Sequence, residues 1–578
     1  MAEFDLIIRG GTIADGTGGP VFVGDVAIRG RRIAAVGEVR GAGAEEIDAS
    51  DLLVTPGFVD IHTHFDGQAI WDSRLLPTSW HGATTVVLGN CGVGFAPVRP
   101  EDRGDLIALM EGVEDIPHPC LAEGLDWAWE SFPEYLDAVE RRPHDADICA
   151  LLPHAALRIY VMGERALRLE AATEADMARM RTIAADAMRA GALGFSTSRT
   201  IGHKTLAGDP VPTLRAAEAE LTAIALDMKD AGHGVIEAIS DWDAPDADSE
   251  FAMFRRVVET SGRPALISVT QRYHQPEVWR RVLELAREAA ADGLPMRTVV
   301  APRPIGILFG LEGTQNPFSG TRTYRQIAHL PLADRVARMR DPAVRRQILA
   351  DDPLELSTFA LLTRLSNERV FRLGNPPDYA PPREQSVADI AAREGRSAPE
   401  VAYDMLLEDE GRALLFAPVV NYLDYDMSAC REMIGDANAL FGLGDGGAHV
   451  GFITDASFPT FLLSYWARDA QDGLEVSEVV RRLTRANALA VGLEDRGCIA
   501  PGMKADLNLI DLDRLSLGKP YLVHDLPAGG TRLMQKANGL AATLVSGRVT
   551  YRDGEATDAL PGRLVRGPQR DRMESRGH

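Results

Sequence analysis

The chain has few cysteines for its length: five in 578 residues, at Cys91, Cys120, Cys149, Cys430 and Cys498. An odd number, so widely scattered, does not make a disulfide framework, and a reducing cytoplasm is the expected compartment. Long apolar runs are missing too. No stretch approaches the roughly 20 residues that span a bilayer. The opening Met1-Ala2-Glu3-Phe4-Asp5 lacks the basic and apolar segments of a secretory signal. Basic residues are in the minority, 61 against 84 acidic ones, for a net charge of −23. Phosphate-rich partners need a positive surface, so neither nucleic acid nor an anionic membrane is expected. Internal repeats and low-complexity tracts are absent as well. What remains is 45% hydrophobic and 25% charged, ordinary for a soluble protein with a large core. The length fits one large barrel plus a smaller unit.

Both ends of the chain read as short strands with tight turns. Near the start these are Leu6-Ile7-Ile8, Val26-Ala27-Ile28 and Ile33-Ala34-Ala35-Val36; near the end, Ala505–Ile510 and Ala542–Val549. Neither end has enough strands to bury a core alone, but together they can form one small sheet domain. Between them, strand-like and helix-like runs alternate. After the run through Phe58-Val59 come Thr84–Leu88, Ile148–His154, Gly191–Ser196, Gly234–Ile239, Ala265–Val269, Met296–Val300 and Leu440–Asp445. Helical periodicity precedes several of them, as in Glu174–Arg189 and Pro276–Ala291. Eight strands with crossover helices predict an α/β fold, a (β/α)8 barrel whose site lies at the C-terminal strand ends. One connection is out of scale: an insertion at about 302–435, placed to act either as a lid or as a peripheral or oligomer-forming subdomain. Residues 563–578 are expected to be a mobile tail.

The polar residues that carry chemistry fall at the predicted strand ends. In Pro56-Gly57-Phe58-Val59-Asp60-Ile61-His62-Thr63-His64 the alternation of a strand turns His62 and His64 to one side. Two imidazoles on one face suit a first-row metal ion, zinc by default; the alternative is two hydrogen-bonded histidines at a strand end. Cys91, ending the second strand, reads as a small buried hydrophobe, a thiolate nucleophile or a thiolate ligand. Asp445 lies in Gly442-Leu443-Gly444-Asp445-Gly446-Gly447-Ala448-His449. That run can be read as a phosphate loop, though no Lys-Ser/Thr follows. It can also be read as a carboxylate that touches a metal and accepts a proton from water. The first and last strands of a closed barrel are neighbours, which allows Asp445 to meet the histidines. His154, at the third strand end, is a candidate for polarising a carbonyl, for a supporting contact, or for simple packing.

Four segments together resemble the amidohydrolase superfamily, and within it the N-acyl-D-amino-acid deacylase (D-aminoacylase) family. They are Val54–His64, Gly89-Asn90-Cys91-Gly92-Val93-Gly94, Gly191–Thr197 and Asp495–Asp506. The likeness runs over essentially the whole chain, to Pro561-Gly562-Arg563. It implies a small β-sandwich built from 1–57 and 497–562, a barrel over 58–496, zinc, and hydrolysis of a non-peptide amide bond. By that resemblance His62, His64 and Cys91 are metal ligands, and Asp445 is a ligand and the general base toward a metal-activated water.

The departures are as informative. The family's fifth-strand metal histidine is replaced by Ile239. Its sixth-strand Ile-Ser-His-x-Lys reads Ile267-Ser268-Val269-Thr270-Gln271, so Val269 stands at the histidine and a substrate-binding lysine is gone. The arginine expected after the aspartate loop is not found in Asp455–Thr460. Glu237, Asp241 and His274 are the nearby candidates to substitute. One zinc per chain is therefore expected, with a second metal left open. Without the lysine and arginine no clamp for a free carboxylate remains, so a small-molecule amide with a bulkier or uncharged amine portion is expected. The rivals are a ring-opening or deaminating hydrolase of a cyclic amide or amidine, and a catalytically silent barrel that only binds. Homo-oligomerisation is left open.

Overall fold

The computed structural model describes residues 2–243, 245–352 and 369–570. Its centre is a succession of parallel strands: β1 Phe58–Asp60, β2 Ala83–Leu88, β3 Asp147–Ala150, β4 Gly194–Arg199, β5 Val235–Ser240, β6 Ala265–Val269, β7 Met296–Val300 and β8 Ala439–Phe441. β1, β2 and β3 pair in that order. β4 to β8 pair in sequence order, and a two-residue piece just past β3, Leu152–Pro153, pairs with β4. The two runs thus share a strand interrupted at Leu151. The first and last strands also meet. Thr63 bridges Gly446 in parallel, and Asn487 Nδ2 donates to Val59 O and to Phe441 O, each at 2.9 Å.

These strands are buried on both faces, which explains why they read as continuous apolar runs rather than alternating ones. One side chain from each strand, or from just ahead of it, enters a single buried cluster: Val59, Val87, Cys149, Leu193, Val235, Leu266, Val299 and Leu440. Helices alternate with the strands on the outside. Glu174–Ala190 starts at a capping box of Thr173 and Asp176 and stops at Gly191, whose φ of 114° only glycine adopts freely. That cap delays the next strand, expected from Gly191, to Gly194. Val278–Ala291 buries Trp279, Val282, Leu283, Ala286 and Ala289, the three- and four-residue spacing of one helix face.

The two chain ends build one nine-stranded mixed sheet from residues between Phe4 and Pro56 and between Leu507 and Ala556. They join where Leu53–Pro56 pairs antiparallel with Leu507–Ile510. The run Ala542–Val549, read as one strand, is broken by Ser546 and Gly547 at φ 51° and 76° into a hairpin. Within the insertion, Ile305–Phe309, Leu415–Val420 and Phe371–Arg372 form a separate antiparallel sheet with its own apolar cluster around Phe309, Tyr403 and Leu415. Part of the expected tail is no tail. Arg563 O accepts from Ile148 N, Val565 N donates to Ile148 O and Gly567 N to Gly191 O, with Leu564 and Val565 buried. Residues 571–578 lie outside the described residues.

Asn487 is the polar tie between β1 and β8. Asn487→Leu leaves two buried carbonyls without a donor, so it is expected to cost roughly 2–4 kcal/mol, read as a lower urea midpoint at unchanged slope.

Candidate metal centre

Past Asp60 the chain leaves the ladder, so the histidine pair, expected on a strand, lies in the turn just beyond it. That turn is held from three sides. Asp60 Oδ1 accepts from His62 N at 3.2 Å. Thr63 donates from N and Oγ1 to Val87 O at 3.2 and 2.7 Å, while Asn90 Nδ2 reaches Thr63 O and Val87 O at 3.1 and 2.8 Å. His64 N donates to Gly446 O at 2.7 Å. Thr63 is thereby committed to β2, and His62 and His64 face each other edge to face, ring centroids 5.5 Å apart.

Cys91 occupies the turn after β2 with a left-handed φ of 54°, and its N–H donates to Glu237 Oε2 at 2.9 Å. Its Sγ lies 3.4 Å from His62 Nε2. The ligating atoms of His62, His64 and Cys91 all fall within 4.8 Å of one another. Asp445 Oδ1 sits 3.3 Å from His62 Nε2 and 3.8 Å from His64 Nε2. The glycines around Asp445 serve packing rather than phosphate: a Cβ on Gly446 would strike Thr78 Oγ1 at 2.1 Å, and one on Gly447 would lie 2.8 Å from the His64 backbone. Asp445 itself has φ 47°, a costly conformation for a non-glycine residue that clusters at functional sites.

These four residues line a cavity of about 90 Å³ together with Glu114, His203, Ile239, Ser268, Thr270, Arg272, Ile305, Leu443 and His449. Ile305 comes from the insertion. Ile239 stands in the wall as an apolar residue, and Val269 is buried behind Ser268 and Thr270. His154 is not in this wall. Its Nδ1 is hydrogen-bonded to Thr197 Oγ1 at 2.9 Å and its Nε2 to Glu220 Oε1 at 2.8 Å, beside Arg158. With both ring nitrogens engaged it cannot polarise a substrate carbonyl, and the expectation of a catalytic His154 is corrected. The imidazole on that side of the cavity is His203, from the loop after β4, with Nδ1 2.9 Å from Ser198 Oγ. Nothing local in the sequence marks His203 or Glu114. His449 closes the glycine-rich run already noticed around Asp445. Arg272 is tied to Asp241 and to Ser240 O, and Arg303 is buried against Asp455 at 2.8 Å.

Burial dominates the electrostatics. It raises the Asp445 carboxyl to about 8, with Asp455 and Asp60 adding to the effect. It pushes the Cys91 thiol well up, helped by Glu237, Glu114 and Asp445. It lowers His62 and His203 to about 3 and His449 to about 4. Neutral imidazoles and a carboxyl and thiol held by burial in their protonated forms are a donor set that a cation would stabilise. Two imidazoles, one thiolate and one carboxylate at these separations fit zinc, and His62 Nδ1 and His64 Nδ1 are buried without hydrogen-bond partners.

The model of the amidohydrolase family matches residues 45–551. A D-aminoacylase and an N-acyl-D-aspartate deacylase of Alcaligenes xylosoxydans xylosoxydans are 34% and 38% identical over 241 and 197 residues. Those stretches cover 41% and 34% of this chain and 47% and 37% of the relatives, so less than half of either relative is matched. A crystal structure of D-aminoacylase superposes with a TM-score of 0.65 at 23% identity, over 97% of this chain and all of that one. The N-acyl-D-glutamate deacylase of Bordetella bronchiseptica, solved with zinc and a phosphonate inhibitor, gives 0.64 at 22% identity over 98% of this chain and 100% of that one. These structures share the fold.

Since Cys91 and Asp445 hold protons near neutrality in the metal-free protein, a cation must displace them. Zinc binding at about pH 7 is expected to release protons from both groups, and the apparent affinity to rise with pH through and above neutrality. Calorimetry in buffers of different ionisation heat reads this; pH-independent affinity without proton release contradicts it.

Proposed function

Because the chain belongs to the amidohydrolase family, we propose that it is a zinc-dependent hydrolase of a non-peptide amide bond, in an N-acylated amino acid or a related small amide. The observation that carries this reading is the meeting of His62, His64 and Cys91 with the Asp445 carboxylate, 3.3 Å from His62 Nε2. The shared cluster with one residue from every parallel strand supports a closed (β/α)8 barrel over 58–496, with 1–57 and 497–562 as the sheet domain. Five free cysteines support a reducing compartment, the cytoplasm, and no helix among the described residues is long and apolar enough to cross a membrane.

Bound zinc supplies Lewis acidity, acidifying water and polarising an amide carbonyl. Asp445 takes the proton of the attacking water as the C–O bond forms and then delivers it to the leaving nitrogen, on which the C–N bond breaks. His203, anchored through Nδ1, keeps Nε2 for a hydrogen bond to the substrate. With Ile239 and Val269 at the fifth- and sixth-strand positions, the donors support one zinc per chain.

The amine portion of the substrate is uncharged. The one guanidinium among the described cavity residues, that of Arg272, is neutralised by Asp241, and Ile239, Ile305 and Leu443 supply apolar wall. A free carboxylate would meet no unpaired cation there. Blocked N-acyl amides are therefore expected to be turned over in preference to N-acetyl-D-amino acids. Efficient turnover of the free acids alone overturns this specificity, and release of ammonia or a ring-opened product overturns the amide reading. Asp445→Asn is expected to lower kcat/KM by roughly 10²–10⁴-fold.

A further inference from the structure

The two ligating histidines are oriented alike. His62 turns Nε2 toward Cys91 and Asp445 and Nδ1 toward Glu237 Oε1, 3.8 Å away. His64 turns Nε2 toward Asp445 and Nδ1 toward Glu114 Oε1, 3.5 Å away. Both glutamate side chains are at most 3% exposed, and both imidazoles at most 2%. His62 Nδ1, His64 Nδ1 and Glu114 Oε1 have no hydrogen-bond partner. Each imidazole therefore has one nitrogen at the metal centre and one buried nitrogen aimed at a carboxylate, just beyond the roughly 3.2 Å limit of an N–H···O bond.

On the metal reading above, we propose that Glu237 and Glu114 are the positioning carboxylates of the centre. Each accepts the Nδ1–H of one histidine, fixes the tautomer that leaves Nε2 as ligand, and raises the basicity of that nitrogen. Each faces the Nδ1 of its histidine, the nitrogen opposite the one turned toward Asp445, and Glu237 lies outside the cavity wall. Each glutamate also holds a second part of the site. Glu237 Oε2 accepts the Cys91 N–H at 2.9 Å, and its Oε1 lies 3.5 Å from Ser268 Oγ. Glu114 Oε2 faces His449 Nε2 at 3.7 Å, and Glu114 O accepts from His449 N, four residues beyond Asp445. The Glu237 carboxylate thus sets His62 and Cys91, while Glu114 faces His64 with its carboxylate and holds the turn after Asp445 with its backbone carbonyl.

The test is zinc affinity, measured by competition with a chromogenic chelator, for the full-length wild type, Glu237→Gln and Glu114→Gln. A glutamine keeps the shape but removes the charge. Each variant is expected to bind zinc roughly 10–100-fold more weakly, Glu237→Gln the more so, with the thermal midpoint of the metal-free protein unchanged. Affinities within about threefold of wild type overturn the proposal, since outer-shell partners normally cost more. Should either variant fail to fold, proton NMR of the zinc-loaded wild type decides. Exchange-protected Nδ1–H resonances from both His62 and His64 are expected, and Nε2–H resonances from either overturn the proposal. A wild type that binds no zinc overturns the metal reading itself; a zinc-binding wild type with unmoved variants overturns only the carboxylate roles.

Discussion

The whole site depends on a few backbone hydrogen bonds around Thr63. Its N–H and hydroxyl are bound to Val87 O at the end of β2, and its carbonyl to Asn90. The next N–H, of His64, is bound to Gly446 in the turn after β8. A segment bound through consecutive residues to both neighbouring strands has its backbone fixed, which sets the direction in which its side chains leave the chain. His62 and His64 are therefore presented inward together although the strand ladder has already ended. The same bonds set the distance to the Asp445 turn, which explains the glycines there: the backbone approaches too closely for a Cβ.

Placing so many ionisable groups in so small a volume is unfavourable without a cation. Asp445, Glu237 and Cys91 are all driven toward their protonated forms by burial, and His62, His64 and His449 toward neutrality. Such a cluster stores electrostatic free energy that binding a divalent ion releases. The surrounding charges are not left to chance. Arg272 is held by Asp241 and Arg303 by Asp455, so the guanidinium groups stiffen the walls and do not compete for the centre.

Much of this was legible beforehand. His62, His64, Cys91 and Asp445 each follow an apolar strand within a short distinctive run, so local pattern and position agreed. The alternation of strands and helices was equally readable, because periodicity and caps such as Thr173, Asp176 and Gly191 are local signals. What escaped notice depends on tertiary approach. Glu114 is merely the last residue of the helix Arg103–Glu114, and His203 sits in an unpatterned loop. Glu237 was named as a possible replacement for the absent histidines, a carboxylate within Val235-Ile236-Glu237-Ala238-Ile239, where a largely buried strand admits a charge only with partners. His154 misled for the converse reason: its place at a strand end is right for chemistry, but Glu220 and Thr197 claim both nitrogens. Residues 563–570 gave no local sign of packing because their partners, backbone groups of Ile148, Gly191 and Gly492 and the side chains of Asp137, Glu140 and Asp147, come from distant parts of the chain.

The tie made by Asn487 has a bearing on biogenesis. It joins β1 to β8, elements from opposite ends of the central region, and follows both in the chain. During synthesis from the N-terminus, His62, His64 and Cys91 emerge long before the strand that carries Asp445 can dock beside them. Until then the thiol and imidazoles stand in an unsealed half-ring, open to oxidants and to whichever ion arrives first. The complete set of four donors therefore exists only after the strand that carries Asp445 has docked.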